Sequence, residues 1–396
     1  MLGRALSAAA LPLLLAGPVR GQTPADSIFL RAGPALRWQV AARLLIERSV
    51  ASRDGRPARS TFYDGNNNSR LYALVAGAQY DALRAARDPA RGEAAAIAAA
   101  AAVLATVFPA DTGWIARRRT AELTSSIEDG PGGEAAASAL RAGRVAAAPW
   151  LARARAELRI TPWRGRVPVG PGRWRGEGAV PALAISLGLP RYYLTRRDQF
   201  RPPPPPAPGT AAFAAALDTV RWATGHRTRE QTRATWAWAR NAATLWSEIA
   251  GGVILRRHLP ELAAARVLLA VNQTLSDATI ACWDAKLTYW YPRPSQVDSS
   301  LDLSVPLPDF PSYPSAHATL FAAGAAVLGH LVPAEQAALD SLADQATRSR
   351  VWAGVHYPFD NAAGVTLGRR VAAAAIVALD EASPGAALLP HRSPAP

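Results

Sequence analysis

The sequence of 396 residues contains a single cysteine, Cys282, so no intramolecular disulfide can form and no cysteine-rich metal site exists. Cys282 lies in an apolar helical run and is expected to be a buried small hydrophobe. Zinc-finger spacing, a basic helix with a zipper and the aromatic strand motif of RNA-binding domains are all missing. A nucleic-acid partner is therefore not expected, despite a net charge of +14. Arginine heavily outnumbers lysine, which points to compositional bias on solvated faces; an attraction for anionic substrates fits the charge equally well. Beyond the N-terminus no segment has about 18 uninterrupted apolar residues, so no integral membrane segment is expected in the mature protein. β-Branched residues are sparse, and no repeat period stands out.

Hydrophobic residues make up 49% of the chain and charged ones 19%, a balance that allows a sizeable core and excludes disorder of the whole chain. Alanine is abundant, which favours helix. Arg4 followed by the apolar stretch Ala5 to Ala16 and the weak cleavage site Val19-Arg20-Gly21 reads as a secretory signal over residues 1–21. An uncleaved anchor is the alternative. The expected location is periplasmic or extracellular, and no cysteine follows that would make a lipoprotein.

Helical periodicity marks an N-terminal helical layer over 22–160: helices over 28–50, 69–86, 92–108, 114–128 and 134–158. Residues 51–68 read as loop, and Asp88-Pro89 as a break. Residues 161–209 are rich in Pro, Gly, Trp and Arg and end in the run Pro202 to Pro206. They are a linker or an extended segment wrapping a helical core; Trp163, Trp174, Tyr192, Tyr193 and Phe200 favour wrapping. Helices return over 210–382: 210–224, 229–249, two within 253–289 split near Pro260, 315–331, 333–350 and 358–380. The tail 383–396 is expected to be flexible. The sum is an all-α architecture packed around a central bundle.

Three short clusters carry the chemistry. The first is Trp283-Asp284-Ala285-Lys286 and, after six intervening residues, Arg293-Pro294. A Lys and an Arg in so apolar a stretch need an anionic partner if buried. The second is Phe310-Pro311-Ser312-Tyr313-Pro314-Ser315-Ala316-His317. Ser315 sits where a helix N-cap belongs, so an oxyanion there would meet its hydroxyl and the amides of Ala316 and His317. The third is Ser349-Arg350, then His356, then Asp360. Pro358 suits a first helical turn, and Asp360 lies within reach of an orienting hydrogen bond to the imidazole of His356. Taken alone, each cluster also has a plain structural reading: a cap, a buried histidine, a packed aromatic. Together they suggest one pocket for a tetrahedral oxyanion. His226, His258, His330 and His391 are assigned to structure or surface.

The order and spacing of these clusters resemble the signature of the superfamily of vanadium-dependent haloperoxidases and type 2 phosphatidic acid phosphatases: Lys, six residues, Arg-Pro; Pro-Ser-Gly-His; Ser-Arg, five residues, His, three residues, Asp. Ala316 stands where that family usually has Gly, and keeps the backbone amide. The resemblance covers about 210–375; Tyr80-Asp81-Ala82, the proline run and Arg227-Thr228-Arg229-Glu230-Gln231 also resemble secreted bacterial members. It implies the helical bundle of that family with additional N-terminal helices. It implies that Lys286, Arg293 and Arg350 bind the oxyanion with Ser315 and the Ala316 amide. In a haloperoxidase, His356 would be axial to vanadium, with His317 as acid–base residue, Asp360 orienting His356, and Trp283 and Phe310 at the halide pocket. The cofactor would be vanadate and the substrates hydrogen peroxide and halide. In a soluble acid phosphatase of the same superfamily, His356 would be the nucleophile attacking a phosphomonoester and His317 would protonate the leaving alcohol. A non-catalytic oxyanion-binding protein of this fold is a third reading, disfavoured by the two placed imidazoles.

Overall fold

A computed structural model describes residues 29, 31–51, 67–126, 133–160, 163, 165–176 and 187–382. Residues 1–21, expected to be a secretory signal, most of the expected loop 51–68 and the tail 383–396 lie outside the described residues. The described part is all-α, with no strand among its residues.

The N-terminal layer holds α1 (Pro34–Ala51), α2 (Asn68–Ala85), α3 (Pro89–Val107), α4 (Thr112–Ser126) and α5 (Glu134–Glu157). Asp88-Pro89 acts as a start rather than only a break. Asp88 accepts the Arg91 amide at 2.9 Å as N-cap, and Pro89 occupies the first turn. The alanine-rich α3 packs closely on α5, where a Cβ on Gly143 would stand 2.6 Å from the Ala95 carbonyl oxygen. Trp38, Leu45, Leu71, Leu74, Ile97 and Leu104 fill the core of this layer.

The second layer holds α6 (Ala211–Gly225), α7 (Arg229–Ala237), α8 (Ala242–Arg256), α9 (Glu261–Tyr289), the single turn α10 (Pro294–Val297), α11 (Ala316–Leu331), α12 (Gln336–Trp352) and α13 (Pro358–Ala382). The helix expected over 229–249 is two. Asn241 accepts the Thr244 amide at 2.9 Å and starts α8, a polar cap overriding continuous helical periodicity. The helix expected from Pro333 opens instead with a 3-10 turn, Pro333–Glu335.

Helix α9 is the axis on which the two layers meet, α2 packing on it from one side and α11 and α13 from the other. The α11–α13 pair is the most extensive contact of the second layer. Gly364 and Gly368 permit it: an added Cβ would lie 2.6 Å from the Ser315 carbonyl oxygen and 2.1 Å from that of Thr319. This approach sets the start of α13 against the start of α11, where the Ser315 amide donates to the Asp360 carbonyl at 2.9 Å.

Residues 187–209 run along α9. The buried Asp277 carboxylate accepts the amides of Tyr192, Tyr193 and Leu194, and the buried Asp284 pairs with Arg197 and Arg201. Three tyrosine hydroxyls then hold the proline run: Tyr289 donates to Pro202, Tyr313 to Pro203 and Tyr291 to Pro206, at 2.6, 2.7 and 2.6 Å. Polyproline backbone has no internal hydrogen bonds, so its carbonyls are free to accept these.

Among the described residues two helices, α3 and α13, are long and apolar enough by composition to cross a membrane. About two thirds of the apolar window of α3 is buried inside the protein, as in a core helix; for α13 the share is 33%.

Candidate active site

Lys286 is the only lysine in the chain. It sits on the last turn of α9, fully buried. Its ammonium donates to the carbonyls of Pro311 and Ser312 at 2.6 and 2.9 Å, and lies 5.2 Å from the Phe310 ring centroid. Burial lowers its pKa to about 7.

Arg293 lies in the turn after α9, also fully buried. Nε donates to the Phe310 carbonyl at 3.0 Å, and Nη1 to the Val355 carbonyl at 2.7 Å and to His356 Nε2 at 3.0 Å. Nη2 is buried and has no partner. Arg350, at the end of α12, donates from Nε to Ser349 Oγ and from Nη2 to the Thr235 carbonyl. Burial is the main cause that lowers Arg293 to about 10 and Arg350 to about 9. None of these three cations forms an ion pair among the described residues.

The second cluster folds as a cap. Ser315 is the N-cap of α11, its Oγ accepting the Ala318 amide at 3.3 Å, which leaves its own O–H to donate. Ala316 and His317 are the first two residues of the helix, where amides lack intrahelical partners. The His317 ring stacks on Phe321, with centroids 6.2 Å apart, and its Nε2 is buried without a partner. Burial, then the charge of Arg350, pulls its pKa down to about 3, so the ring is neutral at pH 7.

The third cluster supplies a fixed imidazole. His356 Nδ1 donates to Asp360 Oδ2 at 2.8 Å across the start of α13. Burial and the nearby Arg293 hold His356 well below the usual histidine range, so it is neutral, and Nε2 carries the lone pair that meets Arg293. Asp360 Oδ2 also accepts from Ser312 Oγ at 2.5 Å and from the Tyr357 amide at 3.1 Å, while Oδ1 has no partner. Burial raises Asp360 to about 6.

The structure thus brings Lys286, Arg293, Ser315, Ala316, His317, Arg350, His356 and Asp360 to one place, where α9, α11, α12 and α13 end or begin. Trp283 and Phe310 stand beside them, their rings edge to face at 4.9 Å. Trp283 is fully buried with an unpartnered Nε1, and Phe310 is half-buried over Arg293 at 4.8 Å. Of the other histidines, His226 and His258 are exposed and His330 pairs with Asp380; His391 lies outside the described residues. Ser312 is the participant that the sequence did not mark: its contacts, with Asp360, His356, Lys286 and Tyr291, come from segments remote in sequence. Its one signal was its place between Pro311 and Pro314.

Comparison with known proteins bears on this arrangement. Residues 262–383 match the model of the PAP2 superfamily. That span contains all three clusters, so the superfamily resemblance read from them is borne out. The fold around the PAP2 segment is similar to that of a bacterial vanadium-dependent iodoperoxidase, with a TM-score of 0.71 at 18% identity over 87% of this chain and 96% of that one. It is also similar to a bacterial vanadium-dependent chloroperoxidase. The apo-type structure gives a TM-score of 0.64 at 16% identity, covering 79% of this chain and 94% of that one. The holo-type structure gives 0.62 at 15% identity, covering 93% and 97%. These likenesses extend through the N-terminal helices as well as the PAP2 segment and confirm the all-α fold. No curated protein matches the sequence.

Proposed function

We propose that this protein is a vanadium-dependent haloperoxidase-like enzyme whose cofactor is vanadate held at the site above. The observation that carries the reading is the unneutralised cradle. Three buried basic side chains converge with no carboxylate in ion-pair contact among the described residues, and the buried Arg293 Nη2 is left without an acceptor. A buried charge without a partner is costly, so the donor set fits a multiply charged oxyanion. Arg293, Arg350, Lys286, the Ser315 hydroxyl and the Ala316 amide would hold its oxygens. The neutral His356, its tautomer fixed by Asp360, has its Nε2 lone pair on the side of Arg293 and would hold the vanadium through that nitrogen. Vanadate bound there would supply the Lewis acidity that activates hydrogen peroxide toward halide.

The chain's own part is binding and proton handling. His317, neutral and with Nε2 unpartnered, can accept a proton from an incoming peroxide and return it to a departing oxygen. Trp283 and Phe310 give an apolar wall with one indole N–H, suited to a weakly hydrated halide. The phosphatase reading uses the same groups, with His356 attacking phosphorus. It requires a protonated His317 to release the alcohol, and a pKa of about 3 disfavours that form unless the bound anion raises it. Export to the periplasm or cell exterior, from residues 1–21, belongs to the same proposal. The deciding experiment supplies purified protein with orthovanadate, peroxide and iodide, bromide or chloride, and separately with a phosphomonoester. Vanadate-dependent halogenation that His356→Ala abolishes is the expected result; phosphate release inhibited by vanadate, with no halogenation, overturns it.

A further inference from the structure

Ser312 stands outside the motif residues, yet it touches both halves of the site. Its hydroxyl donates to Asp360 Oδ2 at 2.5 Å and lies 3.4 Å from His356 Nδ1. Its carbonyl accepts from Lys286 at 2.9 Å, and its amide donates to the Tyr291 carbonyl at 2.9 Å. The side chain is fully buried. All three donors to the Asp360 carboxylate converge on Oδ2, and Oδ1 has none. The hydroxyl therefore helps decide which carboxylate oxygen faces the imidazole. That in turn decides where His356 Nε2 points.

We infer that Ser312 is a positioning residue for His356: acting through Asp360, it aims Nε2 at the bound oxyanion and so selects an anion that bonds to nitrogen over one that does not. The inference rests on the proposed vanadate reading. Its physical basis is that a ligand histidine is oriented by the hydrogen bonds behind it, and loss of such a partner weakens metal affinity by about 10- to 100-fold. Phosphate at rest forms no bond to His356. It is gripped by Lys286, Arg293, Arg350 and the α11 N-terminus, which Ser312→Ala leaves in place. Even the carbonyl that holds Lys286 survives that substitution.

The test is calorimetric titration of the metal-free full chain with orthovanadate and, separately, with inorganic phosphate. In Ser312→Ala the vanadate Kd should rise about tenfold or more, while the phosphate Kd moves by less than about threefold. Ser312→Thr, which keeps the hydroxyl, should restore most of the vanadate affinity. Ser312→Cys, close in size but a weak donor, should behave like Ala and serves if Ala does not fold. Equal weakening of both anions, or no change in either, overturns the inference. If the wild-type chain binds vanadate no more tightly than phosphate, it is the underlying vanadate reading that fails, which separates the two.

Discussion

Replacing Lys286 by Met removes the one lysine ammonium in the chain while keeping most of its volume. With a pKa lowered from 10.5 to about 7, keeping this group buried at pH 7 costs the fold roughly 4 kcal/mol, at about 1.4 kcal/mol per tenfold change in proton affinity. The substitution relieves that cost. It also strips the donor from the Pro311 and Ser312 carbonyls, about 1–3 kcal/mol for each group left unsatisfied. The two effects nearly offset, so anion-free stability should change by no more than about 2 kcal/mol. Anion binding should respond far more. Phosphate at a hundred times its Kd stabilises the wild type by about 2.7 kcal/mol, and a hundredfold weaker Kd leaves about 0.4 kcal/mol at the same concentration. The pH dependence has a definite sign. Between about pH 7 and 10.5 the unfolded chain binds the lysine proton and the fold does not, so stability from this group rises with pH across that window. Anion affinity falls over the same rise, because the neutral amine no longer attracts charge. Denaturation with and without phosphate at pH 6 and 8.5 measures both. Protein labelled with nitrogen-15 lysine has a single Nζ resonance, which should titrate near pH 7 when anion-free and move upward with phosphate bound. A midpoint near 10, or an undiminished phosphate effect in the Met variant, would refute the reasoning.

Asp360→Asn should leave the helix start intact but lower turnover between about 10- and 100-fold, read by steady-state kinetics, because the amide no longer fixes the His356 tautomer. Gly364→Ala drives a Cβ onto the Ser315 carbonyl at the N-cap of α11; phosphate titration should show lost affinity together with a destabilisation of about 1–3 kcal/mol by denaturant. Tyr313→Phe and Tyr291→Phe each remove one bond to the proline run, and each should cost about 1 kcal/mol in denaturant melts. Asp284→Asn should speed proteolysis within 187–209, because Arg197 and Arg201 lose their buried partner.

Much of this was legible in order along the chain. Helix starts are local: Asp88-Pro89, Ser315 and Pro358 each announce a first turn through a cap or a fixed φ, and a cap needs only its neighbours. Ion types are local too, so an isolated Lys286 and Arg293 in apolar sequence already called for an anion. The break at Asn241 was missed because apolar spacing runs through it unbroken, and only packing against α9 and α11 rewards the change of direction. The sequence by itself therefore determined most of the helix starts and the three clusters. Only the tertiary structure decided that Ser312 shares Asp360 with His356, that Arg293 Nη2 is left without an acceptor, and that His317 is neutral. Those are properties of groups brought within 3 Å from segments dozens of residues apart, and of the water excluded when α11 and α13 close on two glycines.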